Sequence, residues 1–305
     1  MQYRSDATAF SHFRVLNCLV ACYYFLRIRL FKFQHLLELG IWGTFAWLLT
    51  SMTYMAKIED FFTLTNSVEG IDDEQYRHLE PMIRAIDAMA NATYQSIYVI
   101  DYLKHGFLHV ASNPLFLCGH TAEEVRQMGY RLYIDHVPAE EQIMLTEINE
   151  VGFKRFNEEP MTERSRCFMS YDFHIVNGED CYLVNHKITP FALAPDGRAW
   201  LAMCVVSLSH HTTPGHVEFR KKGQSVYWEY DLNSHRWQER KSITLRGQEK
   251  QVLILSAQGY TVSQIADRMC RAVDTVKTYK RALFERLGVR SITEALTVAT
   301  NQGLL

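Results

Sequence analysis

The chain has 305 residues, of which 48% are hydrophobic and 22% are charged, with 15 glycines and 7 prolines. This length suffices for about two domains of roughly 150 residues each, and the composition excludes a small disulfide scaffold, a collagen-like fibre and a wholly disordered chain. The net charge of −2 is unevenly divided: residues 241–305 have ten Lys or Arg against five Asp or Glu, whereas residues 55–240 have a net charge of −10. A basic tail on an acidic body is typical of a nucleic-acid-binding module joined to a second domain. The seven cysteines include no Cys-x-x-Cys pair, which favours free thiols in a reducing compartment.

Residues 1–54 form an apolar N-terminal extension with two apolar runs, residues 15–26 and residues 39–56. The second run has 18 residues and no charge, which is just at the threshold for a membrane span of about 20 residues. No small-residue cleavage site follows a short apolar core, so a secretory signal fits poorly. Three interpretations stay open: an early start assignment with the native chain beginning at Met52 or Met55, a membrane anchor, or a packed helical extension.

Residues 55–95 have the apolar spacing of a helical lead-in. Two short strands, residues 96–101 and 107–111, follow with a turn between them and predict a hairpin. Thr121 and Glu124 then form a capping-box pattern that marks the start of a helix.

A second helical segment covers residues 131–156, and three longer β runs follow it. Asn177-Gly178 joins the first two runs, and Pro195-Asp196-Gly197 joins the last two, which are both strong turn signals. The predicted strands are residues 166–176, 181–192 and 199–209.

Two strands, short helices and then three strands are the element order of a PAS domain. The stretches VASNPLFLCGHTAEEV and LYIDHVPAEEQ also resemble PAS sequences, and the resemblance covers residues 83–209. It implies a sensor domain in which a five-stranded antiparallel sheet packs against short helices. The cavity of such a domain holds a small molecule, a haem, a flavin or nothing.

Neither haem nor flavin is expected in this domain, and the predicted cofactor is none. Cys118 and Cys167 do not lie in the Asn-Cys-Arg-Phe-Leu-Gln type of stretch that a flavin-binding light sensor needs. His136, His174 and His186 qualify as haem ligands only by residue type. A small-molecule ligand or a protein partner for this domain stays open.

No catalytic motif is present, and the chain is not expected to be an enzyme. It contains no Walker-type phosphate loop, no Gly-x-Ser-x-Gly elbow and no His-Glu-x-x-His zinc helix. His210, His211 and His216 cluster in sequence, but no second Cys/His pair at zinc spacing accompanies them. They are therefore interpreted as a solvated linker, with no metal site.

Residues 210–240 are predicted to be a β-rich connector of two or three short strands. Its aromatic residues are interpreted as a face packed on the sensor sheet, with an aromatic binding cleft as the alternative. These aromatic residues are Tyr227, Trp228, Tyr230 and Trp237.

Residues 241–305 have the pattern of four short helices. A capping box of Thr261 and Gln264 starts the second helix, and Gly259 and Gly288 end the first and third. Four short helices with a tight turn between the second and third form a helix-turn-helix arrangement, in which the third helix is the recognition helix. The predicted helices are residues 248–258, 262–269, 273–286 and 293–301.

The predicted third helix has one apolar and one polar face. Val276, Tyr279, Leu283 and Leu287 follow at i, i+3, i+7 and i+11, which predicts that they are buried. The opposite, polar face contains Asp274, Lys277, Thr278, Arg281 and Glu285.

The stretch GYTVSQIADRMCRAVDTVKTYKRALFERLGV closely resembles the LuxR-type (GerE-like) DNA-binding domain, over residues 245–305. Gln248-Glu249 stands where the family has Arg-Glu, Arg271-Ala272 replaces an apolar residue and serine, and Tyr279 replaces a histidine. The resemblance implies that Lys277, Thr278 and Arg281 reach DNA bases or phosphates. The full set of predicted DNA-binding residues is Lys277, Thr278, Arg281, Thr275, Lys280 and Thr261.

The predicted fold class is α+β, a PAS-like antiparallel sheet with short helices followed by a separate all-α four-helix helix-turn-helix domain. The chain is predicted to be a sequence-specific transcriptional regulator that binds double-stranded DNA and senses a small molecule or a partner. It is expected to bind DNA as a homodimer, and the fourth helix is the predicted dimer surface. The alternative is a PAS-based protein interaction module in which DNA binding is auxiliary. The expected location is the cytoplasm, with membrane tethering only if residues 1–54 belong to the native protein and insert.

Overall fold

The computed structural model describes residues 56–305. The three interpretations of residues 1–54 therefore lie outside the described residues. Within residues 56–305, no helix is both long enough and apolar enough to cross a membrane.

Residues 56–241, called here the sheet region, contain short helices and eight strands. A short 3-10 helix, Ile58–Phe61, comes first. The helices are α1 (Asp73–Arg77), α2 (Glu80–Thr93), α3 (Pro114–Leu117), α4 (Ala122–Met128), α5 (Arg131–His136), α6 (Ala139–Asn157) and α7 (Met161–Arg164). The strands are β1 (Ser96–Asp101), β2 (Gly106–Val110), β3 (Cys167–Asn177), β4 (Asp180–Leu193), β5 (Ala199–Leu208), β6 (Gly215–Lys221), β7 (Val226–Asp231) and β8 (Arg236–Lys241).

The eight strands form one antiparallel sheet in the order β2-β1-β5-β4-β3-β6-β7-β8. The first five strands begin and end within one residue of their predicted bounds. The predicted helical segment 131–156 is interrupted at Val137 and Pro138, because the residue before a proline is driven to extended backbone and helix α6 starts afresh after it. With the helices that follow at the C-terminus, the predicted α+β fold class is confirmed.

Aromatic side chains fill the core of the sheet region. Every residue of β1 is buried. Tyr98 stacks on Phe116 with ring centroids 4.2 Å apart, and Phe107 and Tyr133 pack around this pair. Because each buried aromatic ring removes about 150–250 Å² from water, these contacts contribute substantially to the stability of this region.

Strands β6–β8, which lie in the predicted connector 210–240, continue the same sheet beyond β3. Their aromatic face packs against α6, where the Arg155 guanidinium lies 4.3 Å from the Trp228 ring centroid. The Tyr230 and Trp237 rings are in tilted contact, with centroids 5.0 Å apart, and the Tyr230 hydroxyl donates to Glu147 Oε1 over 2.8 Å. The predicted boundaries between lead-in, sensor, connector and helical domain stay a prediction.

Residues 242–305, called here the helical region, contain four helices at the predicted positions to within one residue. Two apolar clusters hold them together: Leu253, Leu283 and Leu287 pack with the last helix, and Val252 and Ile265 pack on the other side of the first. The helices are α8 (Gly247–Ala257), α9 (Val262–Met269), α10 (Val273–Leu287) and α11 (Ile292–Asn301).

The end of α11 touches the sheet region through two hydrogen bonds. Lys187 Nζ on β4 donates to the Asn301 carbonyl oxygen over 2.6 Å. Asn301 Nδ2 donates to His210 Nδ1 over 3.3 Å, in the segment between β5 and β6. A cation at the C-terminal end of a helix is favourable because the last carbonyl groups carry partial negative charge. Helix α11 is thereby tied to the sheet at one end.

Candidate nucleic-acid interface and buried polar cluster

Helix α10 presents the polar face that its sequence pattern predicts. Val276, Leu283 and Leu287 are buried as predicted, whereas Tyr279 is only half-buried. The helix ends at Gly288, whose φ of 67° lies in the left-handed region that glycine adopts without strain. Its N-cap, Ala272, makes no side-chain hydrogen bond, as expected for the residue that replaces the family's serine. The side chains on the opposite face are all exposed: Asp274, Lys277, Thr278, Arg281 and Glu285.

The polar groups of this face are held only by weak local contacts. Lys277 Nζ lies 2.9 Å from Asp274 Oδ1, and both side chains are mostly exposed. Thr278 Oγ1 donates to the Asp274 carbonyl oxygen over 2.9 Å. An exposed ion pair of this kind contributes about 0–1 kcal/mol, so the Lys277 ammonium can exchange its partner for a phosphate at little cost.

Three of the predicted residues share one surface hollow of about 600 Å³. Lys277, Lys280 and Arg281 line it together with Arg290, which follows the end of α10. The sequence reasoning missed Arg290, although its position two residues beyond the terminating Gly288 was a usable signal. The hollow is lined by these four basic side chains and one acidic side chain, Glu285, so its charge is net positive, which suits a polyanion.

Of the three predicted residues that do not line this hollow, Thr278 lies on the exposed face described above, and Thr261 and Thr275 lie near the starts of their helices. Thr261 caps α9: its Oγ1 accepts from Gln264 N over 3.4 Å, and Gln264 Oε1 accepts from Thr261 N over 2.9 Å. Thr275 lies in the first turn of α10 and is half-buried. Contact with DNA by these two residues, as by the other four, stays a prediction.

Helix α10 is fixed to α8 by one buried ion pair. The Glu249 carboxylate is 2% exposed and accepts from Arg286 Nε over 3.0 Å and from Arg286 Nη2 over 3.1 Å. Burial by itself would raise the pKa of Glu249, but the backbone N–H of Arg246 and the Arg286 guanidinium lower it below its ordinary value. This pair adds a polar contact between α8 and the predicted recognition helix.

The sheet region contains a buried chain of polar groups. The Tyr98 hydroxyl forms hydrogen bonds with the Tyr133 hydroxyl and, over 2.6 Å, with His186 Nε2. His186 is fully buried, and its Nδ1 has no hydrogen-bond partner. Burial raises the pKa of Tyr98 and Tyr133 well above the ordinary value and lowers the pKa of His186 to about 3, so all three groups are neutral at pH 7.

His186 is expected to make the sheet region acid-sensitive. Its ordinary pKa is 6.5 and its folded pKa is about 3, so the unfolded chain binds a proton between these values and the folded chain does not. Stability is therefore lost as the pH falls below 6.5, by about 1.4 kcal/mol per pH unit. Urea unfolding at pH 6.5 and pH 5 measures this loss, and His186→Leu is expected to reduce it by about 2 kcal/mol over that interval.

The control for this experiment is His78→Gln, because His78 is exposed and is the C-cap of α1. The loss of stability that is assigned to His186 should persist in this variant. An equal pH dependence in wild type and His186→Leu would contradict the assignment of the acid sensitivity to His186.

A small apolar cavity lies between α6 and the sheet. Its volume is about 40 Å³, which is room for a few water-sized groups. A Cβ atom at Gly152 would lie 2.5 Å from Met169 Sδ, so a larger residue at this position would have to displace the end of the Met169 side chain. The lining residues include Phe153, Phe156, Met169, Ile188, Ala202 and Phe219.

The other two histidines considered as haem ligands have protein partners. His136 Nδ1 hydrogen-bonds to the Val176 carbonyl oxygen over 2.8 Å. His174 Nδ1 hydrogen-bonds to Glu141 Oε1 over 2.7 Å. The structure does not bring these two residues together with His186 at one site: His186 contacts the tyrosines of the core, whereas His174 contacts α6 and His136 the end of β3.

The four helices of the helical region, with the tight turn between α9 and α10 and the exposed basic face of α10, define a helix-turn-helix domain. The family model described as "Bacterial regulatory proteins, luxR family" (GerE) matches residues 244–299. The chain therefore carries a LuxR-type helix-turn-helix domain over these residues, and the matched family consists of regulatory proteins, not enzymes.

No curated protein matches this chain. Three solved structures resemble it at low identity. The phage VqmA–DPO complex is 13% identical and has a TM-score of 0.28, with 74% of this chain and 89% of that chain covered. The Vibrio cholerae VqmA dimer in the absence of target DNA is 14% identical and has a TM-score of 0.29, with 74% and 88% covered. The Vibrio cholerae VqmA–ligand–DNA complex is 14% identical and has a TM-score of 0.28, with 69% and 84% covered. TM-scores of this size do not establish a common overall fold.

Proposed function

We propose that this chain is a transcriptional regulator that binds double-stranded DNA sequence-specifically through its LuxR-type helix-turn-helix domain. One observation carries the proposal: Lys277, Thr278 and Arg281 lie exposed on one face of α10, inside the region that matches the family. An α-helix fits the major groove of B-DNA, and an exposed row of donors on such a helix can read base edges there.

The proposed roles follow from the side-chain chemistry. Arg281 donates to a guanine or a phosphate, because a guanidinium matches both in a bidentate manner. Thr278 lies at the base edges, and Lys277 and Lys280 neutralise phosphates. Arg290 lines the same hollow and is a further phosphate contact. Thr261 and Thr275 complete the proposed contact set, with hydroxyl groups near the starts of their helices.

The sheet region is proposed to be a PAS-like sensor that controls the helix-turn-helix domain. Strands β1–β5, with the short helices inserted between β2 and β3, have the element order of that domain class. The unpaired His186 Nδ1 and the apolar cavity beside α6 are two places where this region can respond to a small molecule. Any ligand larger than a few atoms requires side chains such as Met169 to move, which an unbranched thioether does readily.

The active form is proposed to be a cytoplasmic homodimer that pairs through α11. Such a dimer places two recognition helices on half-sites about one helical turn, roughly 10 base pairs, apart. The bonds from Lys187 and His210 to Asn301 connect the sheet region to the end of this helix, so a change in the sheet can reach the dimer surface.

Selection of bound duplexes from a random pool by the full chain tests the proposal. We expect an enriched sequence with two related half-sites, and an affinity for it that falls steeply as salt rises because phosphate neutralisation releases counterions. No enriched sequence, together with an affinity that is insensitive to salt, would contradict the proposal and favour a protein interaction module.

A further inference from the structure

Three side chains outside the sites described above bring metal-binding atoms together in the sheet region. Asp172 on β3, His211 after β5 and His216 on β6 each offer one ligand atom, and these atoms all lie within 4.8 Å of one another. The His211 and His216 rings are stacked, with centroids 3.7 Å apart and planes 11° apart. Asp172 lies 39 residues before His211 in the chain.

This set of donors matches the preference of one class of ion. Two imidazole nitrogens and one carboxylate oxygen are typical ligands of Zn²⁺, which commonly takes three protein ligands and leaves a fourth position open. With metal–ligand bonds of about 2.0–2.1 Å, tetrahedral ligand atoms lie about 3.3 Å apart. Coordination of one ion requires the exposed His216 side chain to rotate out of the stacked position, so that its ligand nitrogen comes to about 3.3 Å from the other two ligand atoms.

The ligand atoms of His211 and Asp172 lie closer together than two atoms bound to the same zinc ion do. His211 Nδ1 lies 2.5 Å from Asp172 Oδ2, which is a hydrogen bond. An entering ion takes the place of the proton in this bond, and the two atoms separate by about 1 Å.

The Asp172 carboxylate is the strongest reason for a cation here. Its side chain is 0% exposed, and buried carboxylates in proteins are paired with a cation or coordinate a metal. Its partners are His211 on Oδ2 and Asn185 on Oδ1, where Asn185 Nδ2 donates over 2.9 Å. Among residues 56–305, no lysine or arginine forms an ion pair with Asp172. The hydrogen bond from Asn185 would hold the carboxylate in a fixed orientation while its other oxygen binds a metal.

The backbone presents the two histidines on a short, bent segment. Gly215, with a φ of 99°, pairs with Asp172 across β3 and β6 next to an irregularity in the register. His216 follows with a φ of 48°, a left-handed conformation that is uncommon for a residue other than glycine. A strand irregularity of this kind re-aims side chains, and here it brings His216 back over His211.

We propose that Asp172, His211 and His216 form a Zn²⁺ site where the start of β6 pairs with β3. The site lies beside the junction with the helix-turn-helix domain, because the neighbouring His210 accepts the hydrogen bond from Asn301 at the end of α11. Metal binding at this site does not require DNA binding by the helix-turn-helix domain.

Calorimetric titration of the full chain, freed of metal by a chelator, with Zn²⁺ tests the site. The variant His216→Asn removes one ligand, and asparagine tolerates the left-handed backbone, so the exposed position stays foldable. We expect the wild type to bind one equivalent and His216→Asn to bind at least about 100-fold more weakly, because even an outer-shell change costs 10–100-fold.

A matched control exists in the turn between β7 and β8. His235 is also exposed, has a φ of 52° and lies 2.6 Å from a carboxylate oxygen of Glu147. The variant His235→Asn should bind Zn²⁺ as the wild type does. Equal affinity of wild type and His216→Asn, an equal loss in both asparagine variants, or no Zn²⁺ binding by the wild type would overturn the proposal.

Substitution of Co²⁺ for Zn²⁺ identifies the ligand type. A site of nitrogen and oxygen ligands gives visible ligand-field bands without thiolate-to-cobalt charge transfer in the near ultraviolet. The chain has seven cysteines, so charge-transfer bands that persist in His216→Asn would assign the bound metal to thiols and overturn the proposal.

Discussion

The double substitution Lys277→Ala and Arg281→Ala is expected to remove most of the specific DNA affinity of the chain. Each side chain is exposed on the polar face of α10, and together they line the positively charged hollow. A base or phosphate contact by such a residue contributes about 1–3 kcal/mol. Loss of both therefore weakens binding by about 2–6 kcal/mol, which is from about 30-fold to more than about 10,000-fold.

The salt dependence of binding separates the two residues. If Lys277 contacts a phosphate, Lys277→Ala lowers the slope of log affinity against log salt by about one, with a similar loss for all sequences. If Arg281 reads a base, Arg281→Ala relaxes the sequence preference at one position. Fluorescence anisotropy with the selected duplex and with single-base variants of it measures both effects.

The control is the double substitution Arg236→Ala and Lys241→Ala. Both residues are exposed on β8, and the change in net charge is the same. This control should leave affinity nearly unchanged, since general electrostatic attraction is screened within about 10 Å at 0.1 M salt. Equal losses in both double variants would show that net charge, and not the face of α10, carries DNA binding.

The second large effect is expected for Glu249→Gln, which breaks the ion pair between α8 and α10. The substitution leaves the Arg286 guanidinium without its carboxylate, and removing one partner of a buried pair costs about 3–5 kcal/mol. The Arg286 side chain is 33% exposed, so water can partly solvate its charge after the substitution. The lower end of this range, about 3 kcal/mol of unfolding free energy, is therefore expected. For a region of this size that loss is a large share of the total stability.

The same ion pair should also make the stability of the helical region depend on pH, and the direction of this dependence is a second test of the pair. The folded pKa of Glu249 lies below its ordinary value of 4.5, so the pair contributes its full stability above pH 4.5 and loses it as the pH falls further. Glu249→Gln should remove this part of the acid dependence. Hydrogen exchange of the amides of α8 and α10 measures the stability of the helical region separately from that of the sheet.

The matched control is Glu285→Gln, one residue before Arg286 on the same helix. Glu285 is exposed, so its substitution should change stability by less than about 0.5 kcal/mol. Equal protection of α10 in Glu249→Gln and Glu285→Gln would contradict the role assigned to the buried pair.

The local features of the fold were predictable from the sequence because they depend on residues a few positions apart. A capping box links residues three apart, as Thr261 and Gln264 do. The polar face of α10, with Lys277 and Arg281, follows from a repeat of 3.6 residues per turn. Turn signals such as Asn177-Gly178 marked where strands end. The segment 131–156 was an exception, because its apolar spacing continues across Pro138, which ends one helix and starts another.

What the sequence by itself determined about this chain is therefore the class of its C-terminal domain, the strand and helix positions, and the exposed basic face. Only the tertiary structure brought Asp172 to His211, Glu249 to Arg286 and Tyr98 to His186, which are 39, 37 and 88 residues apart in the chain. The pairings of Asp172 and of Tyr98 with His186 depend on which strands lie side by side and in which register, because a strand shifted by one residue would turn each side chain to the other face of the sheet. The pairing of Glu249 with Arg286 depends on how α8 packs against α10. Local periodicity contains no information about that choice, because it is made by the packing of distant apolar surfaces against one another.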